Sequence, residues 1–335
     1  MTPEERKAEL DALKDSPELD RLHDDIRSEV SRDLRHFRAR EKEFSGMRPD
    51  ELLMMYMNWK FRQIHAHPRQ VLLSAELLKR NQNADPLFEP FKEEFRRLTE
   101  MIAAGEDLSS LLSPDVLYKP YELNPDFARL KGEKHLDLLL NEQGIHHLHL
   151  PTLERKKGTP IVFGIFYLRE AFLLDVAPHD DWSSDRLARI SYSNWPQRHF
   201  LRMHITGLVG HQGNPITLSD EQRVFVRNNA INTPIEIDKG LFVHPRAGGL
   251  AANGYSRSVV HRAKDIWNSL PLFVIRTRRA GFAEYLEQQF GKPLPTNPNF
   301  HFRFVDVQDD WHYAIVEESS PAGFLLPNNF GVGRN

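Results

Sequence analysis

Across residues 1 to about 115 the apolar side chains return at helical spacing, and beyond a proline-containing connection they come in short runs broken by turn residues. That change of period constrains the fold most, because a 3.6-residue repeat buries one stripe of a helix whereas a two-residue repeat buries one face of a strand. Leu10, Leu13, Leu19, Leu22, Ile26 and Val30 form the first stripe, set among acids and bases spaced for i,i+4 pairing. Pro49, Asp50 and Glu51 open a second helix, expected to reach about Ala66, since His67 before Pro68 is pushed out of helical geometry. Phe88, Phe91, Phe95, Leu98 and Ile102 share one side of a third, with Gly105 as its left-handed cap.

After LLSPDVLYKPYELNPDF the pattern changes. KHLDLLLNEQG reads as a short helix stopped by Gly144, and GIHHLHLP (144–151) as a strand. PIVFGIFYLREAFLLDVAPHDDW (160–182) carries two β-branched and aromatic runs with Arg169 and Glu170 between them, a hairpin pattern. Ser184 can cap a helix through about Tyr192, ended by Pro196; strands are expected at 235–244 and 301–316, and a helix at 256–270. Helices first and strands with interspersed helices afterwards indicate an α+β fold. The expected division is a helical region, 1–115, suited to binding a protein partner or to dimerisation, followed by an α+β domain, 116–335. That domain is expected to be a mixed, largely antiparallel sheet with flanking helices.

Composition narrows the function. With 335 residues, a net charge of −3 and 27% charged residues, the chain has a well-charged surface and no global positive field to draw it to nucleic acid or an anionic membrane. Any nucleic-acid contact must come from a local patch. The absence of cysteine excludes disulfides, thiolate metal sites and cysteine nucleophiles. The opening MTPEERKAEL is charged throughout, and no apolar run approaches the ~20 residues of a membrane span, so a cytoplasmic protein is expected.

The chemistry concentrates in GIHHLHLP. Side chains alternate along a strand, so His147 and His149 share one face and His146, Leu148 and Leu150 the other. A His-x-His pair binds a divalent metal or moves protons near neutral pH. For metal, Glu154 follows at a spacing that resembles the first motif of cupins, which implies His147, His149 and Glu154 as ligands. For proton transfer, HLHL and the hairpin that follows, about residues 140–200, resemble the central sheet of RelE-like endoribonuclease toxins, with His179 and Trp182 at the end of the far strand. That resemblance implies metal-independent RNA cleavage without a cofactor. His147, His149 and His179 would supply acid and base, Lys156, Lys157 or Arg169 the positive charge, and Trp182 or Tyr167 a stacking surface.

A second candidate lies in LFVHPRAGGLAANGYSRSVVHRAKDIW (241–267). Gly249 and Gly254 have P-loop spacing, but Tyr255 stands where the phosphate-binding lysine belongs, which excludes a nucleotide triphosphatase. Two readings remain: an anion held by loop N–H groups beside Arg246, Arg257, His261 and Arg262, or a helix cap provided by Asn253 or Ser256. Arg198–Arg202 and Arg276–Arg279 add local basic segments. The leading expectation is a metal-independent ribonuclease or related phosphodiester-acting enzyme of toxin or defence type, with RNA as its partner. A non-catalytic nucleic-acid or protein-binding module and a cupin-like metalloenzyme are the alternatives.

Overall fold

The computed structural model describes residues 3–13, 16–33, 46–113, 137–151, 159–178, 185–202, 218–229, 231–238, 241–245, 247–291, 293–307, 310–319 and 323–326. Its helices are α1 (Pro3–Asp11), α2 (Pro17–Asp33), α3 (Pro49–Phe61), α4 (Ala75–Gln82), α5 (Lys92–Ala104), α6 (Leu138–Gln143), α7 (Arg186–Asn194), α8 (Pro196–His199), α9 (Asp220–Asn228), α10 (Arg257–Thr277) and α11 (Phe282–Phe290). Its strands are β1 (Gln70–Leu73), β2 (His146–His149), β3 (Ile161–Phe166), β4 (Glu170–Ala177), β5 (Phe200–Arg202), β6 (Ile235–Asp238), β7 (Leu241–Pro245), β8 (Phe300–Val307), β9 (Asp310–Glu317) and β10 (Gly323–Leu325). Helices and mixed or antiparallel sheets together make the α+β fold that the change of period indicates. Among the described residues no helix is long and apolar enough to cross a membrane.

The chain forms two compact units, one built on Asn58–Val260 and the other on Met1–Met57 with His261–Phe330. This is not a division at residue 115. The difference has a physical cause: β1, within the stretch read as helical, pairs in parallel with β4 from Gln70↔Glu170 to Leu73↔Leu173, which draws the segment around it into the sheet-bearing unit.

In the Asn58–Val260 unit the strand order is β1-β4-β3-β2, with β3 antiparallel to both β4 and β2. Leu148, Leu150, Val162, Ala171, Leu173 and Val176 form one buried face, packed against Leu77 of α4 and Phe95, Leu98 and Ile102 of α5. Ile145, Ile161, Phe163, Phe172 and Leu174 form the other, against Leu139 of α6 and Leu187 and Ile190 of α7. A short sheet faced on both sides by helices buries both sets of its side chains, which explains the near-continuous apolar runs of β3 and β4. Ser74 caps α4 by accepting the Leu77 N–H at 2.9 Å. Gly105 ends α5 at φ 77°, as its sequence position suggests. A second sheet, β5-β7-β6, is antiparallel throughout.

In the other unit, β8, β9 and β10 form an antiparallel sheet in the order β10-β9-β8. Its edge strand β8 is covered by α2: Asp25 accepts the Phe302 N–H at 2.9 Å and Glu29 the Phe304 N–H at 3.0 Å. Acids one helical turn apart thus satisfy donors that an open edge would leave to another chain. Tyr56 of α3 stacks on Phe304 at 4.6 Å and donates its hydroxyl to Asp33 at 2.6 Å.

Three local expectations need correction. Helix α3 stops at Phe61 rather than Ala66, and α10 runs on through Pro271 to Thr277 instead of ending at 270. Burial of Ile266, Leu270, Val274 and Ile275 on both sides of the proline outweighs its roughly 3 kcal/mol cost inside a helix. Asp185 occupies the N-cap position of α7, whereas Ser184 lies outside the described residues.

Candidate acid–base site on the edge strand

Strand β2 is an edge strand, and its burial alternates as the sequence suggests: His146 and Leu148 are buried, while His147 and His149 are partly exposed. Register places His147 opposite Phe163 and His149 opposite Ile161. The two imidazoles are neighbours, with ring centroids 6.4 Å apart and planes at 79°.

The partner of His147 comes from the preceding helix. Asp137 caps α6 by accepting the Leu140 N–H on Oδ1 at 3.0 Å, and its Oδ2 lies 3.1 Å from Nδ1 of His147. Helix α6 has only six residues, and Gly144 turns the chain in the left-handed region at φ 76°, so residue 137 is carried back beside residue 147. A carboxylate can only accept, which puts the proton on Nδ1 and fixes the imidazole in one tautomer and one orientation.

The electrostatics follow from burial and charge together. Burial alone depresses the His147 pKa, but the charge and hydrogen bond of Asp137 outweigh it and raise the value above the usual histidine range. Burial would raise the Asp137 carboxyl; His147, the Leu140 N–H and Arg62 pull it below the ordinary value instead. Arg62, almost wholly buried, has Asp137 and Tyr255 as the groups that favour its charge. His146 on the opposite face behaves differently: burial dominates and drops its pKa to about 4, so it is neutral at physiological pH. Its ring meets Phe166 edge-on at 5.4 Å.

The other residues singled out in the sequence are placed as follows. Glu154, Lys156, Lys157, His179, Trp182 and Arg246 lie outside the described residues. Arg169 is exposed in the connection between β3 and β4, where its carbonyl accepts the Gln70 N–H at 2.9 Å. Arg257 is exposed at the start of α10, with its N–H donating to Gly249 O at 2.8 Å. Arg262 belongs to the other unit and is buried there, its guanidinium 5.5 Å from the Tyr313 ring centroid. Tyr167 pairs with a residue outside the predicted site, its hydroxyl 2.8 Å from Nδ1 of His199.

The glycine segment does not present an open anion cradle. The N–H groups of Gly248, Gly249 and Leu250 go to Pro245 O, Glu142 O and Asn232 Oδ1, and those of Ala251 and Gly254 to Tyr255 O and Ala251 O. Tyr255 donates its own N–H to Asn253 Oδ1 at 3.2 Å, and Ser256 Oγ donates to Ala247 O at 3.0 Å. This loop is closed on itself and on α6, to which it is tied by Asn141 Nδ2 donating to Gly254 O at 2.9 Å.

Sequence reasoning therefore found the imidazole pair and missed Asp137, the residue that organises it. A signal existed, since an aspartate directly before LLL, with Gly144 closing the same helix, is a capping pattern. Among the described residues no three His, Asp, Glu or Cys side chains are grouped as a metal site requires. Comparison with protein-family models, with curated proteins and with solved structures gave no significant match.

Proposed function

We propose that this chain is a metal-independent acid–base enzyme acting on RNA phosphodiesters, with His147 as general acid and His149 as general base. The observation that carries this reading is the Asp137–His147 pair beside His149 on a partly exposed edge strand. An imidazole whose proton is stabilised by a carboxylate holds that proton near neutrality and suits protonation of a leaving oxygen. Its neighbour then takes the 2′-hydroxyl proton. The 2′-oxygen attacks phosphorus, the bond to the 5′-oxygen breaks, and His147 delivers its proton there, leaving a 2′,3′-cyclic phosphate and a 5′-hydroxyl. Charge developing on the phosphate needs a cation. Lys156 and Lys157, which follow β2 in the sequence, are the candidates for it.

The test is incubation of the wild type, His147→Ala and His149→Ala with RNA in EDTA, with analysis of product ends. Cleavage that survives EDTA, yields cyclic phosphate and is lost in both variants supports the proposal. Cleavage lost on chelation would favour a metal held by His147 and His149, and an inactive wild type would favour a binding module.

A further inference from the structure

Helix α9 is inverted relative to an ordinary surface helix. Among its described side chains only Arg223 and Arg227, one turn apart, are fully buried, while Phe225 is 63% exposed. The two guanidiniums point at carboxylates from two other helices. Arg227 Nε donates to Glu142 Oε2 of α6 at 2.6 Å, and Arg223 Nη2 donates to Asp185 Oδ2, at the start of α7, at 2.7 Å. The helix is attached by charge where apolar burial would be the norm.

This attachment is incompletely satisfied. Arg223 also reaches Thr233, yet its Nε and the Oδ1 of Asp185 are buried without a hydrogen-bond partner among the described residues. Burial and the nearby Glu142 carboxylate both disfavour the charge on Asp185. Two mutually repelling carboxylates thus lie under a pair of arginines, and a buried ion pair with unpaired atoms gains little over its desolvation cost. A single ligand with several oxygens and a double negative charge would satisfy both guanidiniums and release both carboxylates to water. Arginine forks match phosphate geometry for this exchange.

We propose that Arg223 and Arg227 form an oxyanion site for phosphate groups, which Glu142 and Asp185 fill in the free protein. The site uses none of the residues of the histidine pair, although Glu142 lies on the helix that Asp137 caps, and binding there does not require RNA cleavage.

The test measures hydrogen exchange of the wild-type chain in inorganic phosphate, in a short RNA oligonucleotide, and in chloride at matched ionic strength. Exchange that changes in 220–228 and 138–143 with phosphate supports a site open to the free ion. The same change with the oligonucleotide alone supports nucleic-acid phosphate as its ligand. Behaviour identical to chloride with both ligands overturns the proposal. As a second arm, Glu142→Gln with Asp185→Asn removes the competing charges and should tighten phosphate binding about tenfold, the equivalent of one charge-assisted hydrogen bond. Arg227→Gln should abolish it. Phosphate binding that is indifferent to these changes contradicts the assignment.

Discussion

Asp137 serves two neighbours at once: its Oδ1 caps α6 through the Leu140 N–H, and its Oδ2 lies 3.1 Å from Nδ1 of His147. Asp137→Asn keeps the cap and removes the charge. A general acid must be protonated, so the alkaline limb of the pH–rate profile should shift to lower pH, because the His147 pKa loses the charge that raises it. RNA cleavage near neutrality should fall, though by less than the drop of about 10²–10⁴-fold that loss of the positioned acid itself would cause. Initial rates across pH 5–9 check both outcomes.

His146 gives stability a pH dependence of the opposite kind. Its folded pKa, about 4, lies below the ordinary 6.5, so the unfolded chain binds more protons between these values and stability falls as pH drops through that window. Up to about 3 kcal/mol is at stake, and His146→Leu should flatten the loss in urea melts between pH 7 and 4. His147 acts above that window and with the opposite sign. With its pKa raised, it contributes stability that is fully present below pH 6.5 and fades as pH rises through its folded value.

Asp175 lies buried beside a bulge of β4, gripped by Arg80 at 2.7 Å and by Arg186. Asp175→Ala should cost about 1–3 kcal/mol, less than the loss from a fully buried pair, because both guanidiniums are about one-third exposed and stay hydrated. Chemical denaturation, with an unchanged m-value, reads this directly.

Gly105 cannot accept a side chain. A Cβ there would stand 2.4 Å from the Pro68 nitrogen, and φ is +77°. Gly105→Ala should destabilise by more than the roughly 1–2 kcal/mol of the left-handed conformation alone, because a backbone atom must also move. Thermal unfolding of the two proteins gives the difference.

What could be read from the sequence follows the range of the forces. Helix α5 with its Gly105 cap, the β3–β4 hairpin and the alternation of β2 are set by local periodicity and backbone sterics, and they are legible. Strand β1 is not: Gln70–Leu73 acquires its role by pairing with Glu170–Leu173, a hundred residues away. The closure of the glycine loop likewise depends on Asn232 and Glu142, remote in sequence. In the candidate site, His147 and His149 could be found from their two-residue spacing. Arg62 could not, since its place beside Asp137 is a product of the packed chain.

Asp137 maintains His147 as the proton-holding imidazole, and NMR titration of the His147 ring in the wild type and in Asp137→Asn tests this directly. The expected result is a wild-type midpoint above the ordinary 6.5 that falls in the variant, because the charge and hydrogen bond of Asp137 that raise it are weakened. Identical midpoints in the two proteins would contradict it.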